Sequence, residues 1–121
     1  MKILIVDDDV ELSKAVASTI KIAGHDVQFT IDPREGLKLI REQNQDMVFL
    51  DLSMPEFSGI DIIKNLEEDG TIKEKKIVIM TASSVDDDEL KHLEDLGVHS
   101  CLRKPVDIDT ILDKIEEVSS S

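Results

Sequence analysis

Apolar residues occur along the chain in two alternating patterns, short unbroken runs and longer stretches with helical spacing. The runs are four or five residues long and rich in Ile, Val and Leu, which is typical of parallel strands covered by helices on both faces. They cover residues 3–6, 27–30, 47–50, 77–80 and 98–102. After each run, apolar residues recur every three or four positions, as in amphipathic helices. Five βα units therefore predict an α/β fold with one doubly wound parallel sheet.

Residues that favour helix ends mark where several of these helices begin and stop. Asp32 followed by Pro33 predicts an N-cap with proline at the first helical position. Ser58 and Asp61 have the spacing of a capping box. Gly24 stands where a left-handed residue ends the first helix. The predicted strands are thus separated by helices with definite limits.

The first predicted strand ends on three consecutive carboxylates, Asp7, Asp8 and Asp9. Asp51 ends the third strand, which the usual order of doubly wound sheets places beside the first. Asp9 fits an N-cap, but the other three acids repel one another by roughly 4 kcal/mol per pair at about 4 Å near a protein surface. A hard divalent cation offsets such repulsion, and oxygen ligands alone suit Mg²⁺ better than Zn²⁺. The sequence predicts a magnesium site here.

Thr81 and Lys104 follow the fourth and fifth predicted strands, so the same sheet edge gains a hydroxyl and a mobile positive charge. Acids, metal, hydroxyl and lysine around one carboxylate suit the acceptance of a phosphoryl group. Asp51 is the candidate nucleophile that becomes an acyl phosphate, while the cation and Lys104 neutralise the phosphoryl oxygens.

Four motifs in chain order resemble those of the response-regulator receiver domain, the chemotaxis-type phosphoacceptor module of two-component signalling. They are ILIVDDD, MVFLDLSMPEFSG, IVIMTAS and CLRKPVD. The resemblance covers essentially all 121 residues. It implies a flavodoxin-like (βα)5 sandwich with strand order 2-1-3-4-5 and a single receiver domain over residues 1–121. Residues 119–121, three serines, are expected either to fray or to begin a linker.

The resemblance implies a role for each acid of the site. Asp51 matches the phosphorylated aspartate, Asp8 the direct Mg²⁺ ligand and Asp7 the second acid, which holds a metal-bound water. The backbone carbonyl of Ser53 is expected to complete the protein ligands of the metal.

The resemblance assigns the phosphate-binding residues in the same way. Thr81 matches the switch hydroxyl that moves toward the phosphoryl group, and Ala82 the small residue that leaves room for it. Lys104 matches the phosphate-contacting lysine, held by a peptide bond to Pro105 that is typically cis. The residues that match the loop after the phosphoacceptor are Met54, Pro55 and Gly59.

The sequence departs from the receiver pattern at Cys101, where most receivers have a Tyr, Phe or His whose ring swings inward on phosphorylation. A thiol cannot act as that ring, so we expect the switch to depend mainly on backbone movement. The resemblance places Ser53 and Ser83 at the positions that tune hydrolysis of the acyl phosphate in receivers. Both are small and neither is a strong base, which predicts an intermediate lifetime.

The resemblance implies a phosphoacceptor with slow autodephosphorylation, not a multiple-turnover enzyme. Its expected partners are a sensor histidine kinase or phosphotransfer protein and a downstream target whose binding changes on phosphorylation. We expect a monomer or a weak, phosphorylation-dependent dimer. Two alternatives remain: a receiver-like interaction module that takes no phosphate, and a haloacid-dehalogenase-type phosphatase. The phosphatase needs a second Asp as general acid where this chain has Ser53.

The amino-acid composition restricts the kinds of molecule that the protein is expected to bind. The 27 acidic and 14 basic residues give a net charge of −13, which repels nucleic-acid phosphates and anionic lipid, so we expect no direct binding to either. The sequence contains no apolar run near 18 residues, no signal peptide and a single cysteine, which favours a cytoplasmic protein. We expect the output to be a protein contact, unless the three serines end a piece of a longer protein.

Overall fold

A computed structural model describes residues 1–54, 56–82 and 85–120 of the chain. Strands and helices alternate within this part. The strands are β1 (Lys2–Val6), β2 (Asp26–Thr30), β3 (Met47–Asp51), β4 (Lys76–Thr81) and β5 (Ser100–Arg103). The helices are α1 (Val10–Ile22), α2 (Pro33–Glu42), α3 (Gly59–Glu68), α4 (Asp87–Leu96) and α5 (Ile108–Ser119). A short 3₁₀ helix, Thr71–Glu74, precedes β4 and was not predicted.

The five strands form one parallel sheet in the order β2-β1-β3-β4-β5. This confirms the predicted fold class and strand order. The register pairs Val6 with Leu50 and Asp51 with Met80, so the carboxyl ends of the three central strands lie side by side. Ligand sites of such sheets lie outside these ends. The fold therefore brings the predicted site residues to one edge.

Two apolar cores cover the two faces of the sheet. Because successive side chains of a strand point to opposite faces, β1 contributes Leu4 and Val6 to one core and Ile3 and Ile5 to the other. The first core includes apolar residues of α2, α3 and α4, and the second includes those of α1 and α5. Burial on both faces explains why the strand sequences show unbroken apolar runs rather than alternation.

The predicted caps are present. Asp9, Asp32 and Asp86 accept backbone N–H groups in the first turns of α1, α2 and α4, and Ser58 forms a reciprocal capping box with Asp61. The acidic residues that follow Asp86 thus belong to the first turn of a helix. No helix in the described part of the chain combines the length and hydropathy needed to cross a bilayer.

The fifth strand begins two residues later than the sequence predicts. Val98 was expected to open it, but its N–H donates to the carbonyl of Leu93 at 3.2 Å and so closes the end of α4. Gly97, with φ of +124°, makes this reversal. Val98 is still buried, which explains why its apolar side chain resembled part of the strand.

Candidate functional site

Four polar side chains from four different segments meet at the carboxyl edge of the sheet. Asp7 follows β1, Asp51 and Thr81 end β3 and β4, and Lys104 follows β5. Asp7, Asp51 and Thr81 are only 1%, 2% and 0% exposed, which is unusual for polar residues, whereas Asp8 is exposed. The edge therefore contains buried charge, and buried charge requires compensation.

Three of the acids form one cluster. Asp7, Asp8 and Asp51 each offer a carboxylate oxygen, and these oxygens all lie within 4.8 Å of one another. One oxygen of Asp7 accepts the backbone N–H of Asp9 at 3.0 Å, and one oxygen of Asp51 accepts that of Ser53 at 3.1 Å. These backbone bonds fix the directions of both buried carboxylates.

Lys104 places its ammonium between the two buried acids. Its Nζ lies 3.1 Å from Asp7 Oδ2 and 3.5 Å from Asp51 Oδ2. Burial lowers the pKa of Lys104, but the hydrogen bond and charge of Asp7 and the charge of Asp51 outweigh it, so the pKa is raised above its ordinary value. Lys104 is therefore charged at neutral pH, and its closer partner is Asp7.

The Asp51 carboxylate remains poorly compensated despite this lysine. Burial raises its pKa, the hydrogen bond from Ser53 and the charge of Lys104 oppose the rise, and the charge of Asp7 adds to it. The result is a pKa above the ordinary value of 3.8. A buried, incompletely neutralised carboxylate gains from a further positive group beside it.

The acidic cluster has the donor chemistry that Mg²⁺ requires. Its donors are hard carboxylate oxygens on rigid strand ends, one of them exposed on Asp8. One positive lysine faces three carboxylates, so a divalent cation also improves the charge balance. The residues therefore fit the predicted metal.

The hydroxyl of Thr81 is buried and has no hydrogen-bond partner within the described residues. Leaving such a group unpaired costs about 1–3 kcal/mol, so native structures seldom do so without a functional reason. Its neighbour Ala82 is small and partly exposed. Thr81 is thus available to a group that enters the edge of the sheet.

Comparison with known proteins identifies the kind of domain to which this geometry belongs. The sequence pattern of the response regulator receiver domain matches residues 3–116. The chain belongs to this family. This confirms the resemblance, and it makes the chain a receiver domain of the two-component response regulators. Such receivers interact with histidine kinases and downstream effectors as signalling domains.

Individual relatives of this receiver agree in sequence and fold. The chain is 31% identical over 115 residues to the transcriptional regulatory protein DltR of Streptococcus agalactiae, covering 95% of this chain and 50% of DltR. The structure of the chemotaxis response regulator CheY4 of Vibrio cholerae superposes with a TM-score of 0.84 at 25% identity, covering 97% of both chains. The structure of the receiver domain of Francisella response regulator 1452 superposes with a TM-score of 0.88 at 24% identity, covering 98% of this chain and 96% of that chain.

The receiver spans about half the length of DltR and of several other curated relatives that it matches. Those relatives therefore contain a comparable length of chain outside the matching region. Their complete activities belong to larger proteins.

Most of the remaining predicted site residues can be placed in this receiver. Ser53 is exposed, and the peptide bond between Lys104 and Pro105 is cis, as the resemblance implied. Met54 is buried in the core that includes α2, α3 and α4. Pro55 and Ser83 lie outside the described residues, so their expected roles in the loop and in tuning remain predictions.

Gly59 supports the end of β3 in a way that sequence reasoning missed. A Cβ at this position would lie 2.4 Å from the carbonyl oxygen of Asp51 and 2.8 Å from Cα of Leu52, so only glycine fits. The Gly59 N–H also donates to the carbonyl of Leu52 at 3.3 Å. Helix α3 thus begins directly against the end of β3. The sequence signal was a glycine at the first helical position, but the backbone that it contacts was not predictable.

Cys101 is half-buried and packs on the core that includes α4. Its Sγ lies 4.0 Å from the carbonyl of Leu90, the only hydrogen-bond acceptor it reaches among the described residues. Burial raises the pKa of the thiol to about 11, with the charge of Glu94 adding to the effect and that of Arg103 opposing it. A protonated, packed thiol is a poor redox sensor.

We expect Cys101 to react slowly in the folded receiver. A pKa of about 11 instead of 9.0 leaves roughly a hundredfold less thiolate at pH 8, so alkylation by iodoacetamide should be about a hundred times slower than in urea-unfolded protein. Mass spectrometry of timed samples gives both rates. Equal rates in the two states would show that the thiol is accessible and ionised, contrary to this structure.

Proposed function

We propose that this receiver accepts a phosphoryl group on Asp51 from a histidine kinase or phosphotransfer protein, with Mg²⁺, and passes the signal to a downstream protein. The observation that carries the proposal is the unpartnered hydroxyl of Thr81, buried at the strand edge that also holds the acids and Lys104. A phosphoryl oxygen on Asp51 supplies the acceptor that this hydroxyl lacks. Simple structural pairing of the acids with Lys104 leaves the hydroxyl unexplained.

The reaction forms one bond and breaks another. An oxygen of the Asp51 carboxylate attacks phosphorus in line with the leaving group, and the bond from phosphorus to the donor's nitrogen or oxygen breaks. The ammonium of Lys104, which lies 3.5 Å from Asp51, pairs with a phosphoryl oxygen as negative charge develops there. Thr81 donates its hydroxyl hydrogen to another phosphoryl oxygen. The product is an aspartyl phosphate.

The metal has its own set of residues in this proposal. Asp8, Asp51 and the backbone carbonyl of Ser53 would hold Mg²⁺, and Asp7 would hold one of its waters. Bound there, Mg²⁺ would supply positive charge beside the phosphoryl oxygens. Asp7 also keeps Lys104 in place through their 3.1 Å contact. The burial of Asp7 and the exposure of Asp8 support this division of roles.

The alternative functions receive less support. A phosphatase of the haloacid-dehalogenase type needs an acid two residues after the nucleophile, and the exposed Ser53 cannot donate a proton in that role. A receiver that takes no phosphate would leave the buried hydroxyl of Thr81 without an acceptor.

The output we propose is a change in protein binding rather than direct contact with nucleic acid. DltR and several other relatives are transcriptional regulators by name, but the matching region is only half of each. The net charge of −13 disfavours contact of this receiver with nucleic-acid phosphates. We propose a monomer or a weak dimer that forms on phosphorylation.

Incubation with acetyl phosphate and Mg²⁺ tests the proposal. Intact mass spectrometry should show one added phosphoryl group, which is absent with EDTA and in the variant Asp51→Asn. The matched control is Asp32→Asn, which changes an exposed acid at the end of another strand and keeps an N-cap residue. It should be phosphorylated like the wild type.

Other outcomes identify the alternatives. Equal labelling of the Asp51→Asn variant would show that Asp51 is not the phosphorylated residue. A wild type that never gains mass would favour the interaction module that takes no phosphate. Continuous release of inorganic phosphate over many turnovers would favour a phosphatase.

A further inference from the structure

Arg103 connects the end of β5 to the start of α4. It is the last residue of β5 and pairs in register with Thr81 of β4. Its Nη1 donates to the backbone carbonyl of Val85 at 2.5 Å, and its Nη2 pairs with the carboxylate of Asp87 in the first turn of α4. The next residue, Lys104, donates its backbone N–H to the carbonyl of Thr81 at 2.6 Å. Two successive residues thus hold the β4–α4 connection at both of its ends.

We propose that Arg103 is a positioning residue that holds Thr81 and the start of α4 in the resting arrangement, so that phosphorylation must release its contacts. This rests on the proposed phosphorylation of Asp51. The hydroxyl of Thr81 has no hydrogen-bond partner among the described residues, so no hydrogen bond of its own opposes a movement toward a phosphoryl oxygen on Asp51. The N–H of Val85 donates to the carbonyl of Ala82 at 3.2 Å, which transmits a displacement of Thr81 to the carbonyl that Arg103 binds.

The chemistry of the two neighbours on β5 shows why Arg103, and not Cys101, has this role. Both residues lie on the same face of β5, but Cys101 makes only a weak contact, from its thiol to the carbonyl of Leu90. Arg103 makes a charge-assisted bond to a backbone carbonyl, which is about twice as strong as a neutral one. Its ion pair with Asp87 contributes less, because the Asp87 side chain is 94% exposed. Of these two contacts, the bond to Val85 therefore contributes more to the restraint.

Binding of beryllofluoride, a phosphoryl mimic, in the presence of Mg²⁺ tests this role. The variant Arg103→Met loses the contacts with Val85 and Asp87 and keeps an apolar stem. If the restraint opposes the bound arrangement, its loss should tighten binding by about three- to tenfold, the equivalent of one ordinary hydrogen bond. The amide signals of Thr81, Val85 and Asp87 in the free variant should also shift toward their positions in the bound wild type.

Three controls accompany this variant. Asp87→Asn removes only the exposed ion pair and should change the affinity less than twofold. Arg41→Met removes another arginine that joins two elements, through Asp69, and should leave the affinity unchanged. Arg103→Lys keeps the charge without the planar fork and should lie between wild type and Arg103→Met, which provides a test if the methionine variant does not fold.

The outcomes separate this inference from the function on which it rests. A wild type that does not bind beryllofluoride contradicts the phosphorylation proposal, and the inference falls with it. A wild type that binds while Arg103→Met and Arg103→Lys bind equally well or more weakly overturns the inference alone. A general loss of packing would weaken binding, so tighter binding together with the amide shifts is specific to the proposed restraint.

Discussion

Asp51→Asn is expected to stabilise the metal-free protein at pH 7, by about 1–2 kcal/mol in the free energy of unfolding. Asp51 is buried, and its pKa is raised chiefly by burial and also by the charge of Asp7, so folding disfavours its charged form. Asparagine has nearly the same shape and no charge. Urea unfolding in EDTA measures the difference.

The stability difference between Asp51→Asn and the wild type should change with pH and with Mg²⁺. Because the folded pKa lies above the ordinary value of 3.8, the penalty is absent below that value and develops as the pH rises through the folded pKa. The advantage of asparagine should therefore disappear as the pH falls toward 3.8. Mg²⁺ should stabilise the wild type more than the variant.

Asp7→Asn is the matched comparison for Asp51→Asn. Asp7 is equally buried but accepts a hydrogen bond from Lys104 at 3.1 Å, so its replacement loses a favourable contact and should stabilise the fold less or destabilise it. A metal-free Asp51→Asn protein that is no more stable than wild type at pH 7 would show that Lys104 and Ser53 already neutralise the carboxylate.

Lys104→Met is expected to have the opposite effect on stability and the largest effect on the reaction. It leaves two buried carboxylates without their cation, which should cost about 2–4 kcal/mol in metal-free solution, given that the lysine itself is 29% exposed. Mg²⁺ should restore part of this loss. The rate of phosphorylation by acetyl phosphate should fall by about two orders of magnitude, since we propose that Lys104 stabilises charge that develops on the phosphoryl group.

Two variants control for the loss of a lysine. Lys114→Met removes a lysine of similar exposure, 18%, whose partner Glu117 is exposed, and it should cost about 1 kcal/mol or less without affecting phosphorylation. The double variant Lys104→Met, Asp51→Asn should recover much of the stability that Lys104→Met loses. An unaltered phosphorylation rate in Lys104→Met would contradict the role of the lysine.

Short-range features of the fold were predictable from the sequence. Unbroken apolar runs indicated strands buried on both faces, and the caps at Asp32 and Ser58 lie where the sequence predicts them. Parallel strands in doubly wound folds present their carboxyl ends at one edge, so the residues after each run indicated the site before any distance was known. The strand order followed from the resemblance of four motifs to the receiver family.

Long-range side-chain geometry was not predictable in the same way. Lys104 and Asp7 are separated by 97 positions, and only the folded sheet shows that their contact is closer than that of Lys104 with Asp51. The contact of Gly59 with the backbone of Asp51 depends on the angle at which α3 meets β3. The contacts of Arg103 depend on its rotamer, which local sequence does not determine.

Reduction with borohydride after treatment with acetyl phosphate and Mg²⁺ tests the central claim most directly. Borohydride converts an aspartyl phosphate to homoserine, and peptide mass spectrometry locates that residue. The account predicts homoserine at position 51 alone, dependent on Mg²⁺ and retained in Asp32→Asn. Homoserine at Asp7 or Asp8 in equal yield, or a phosphate that resists reduction because it is esterified to a hydroxyl such as that of Thr81, would contradict it.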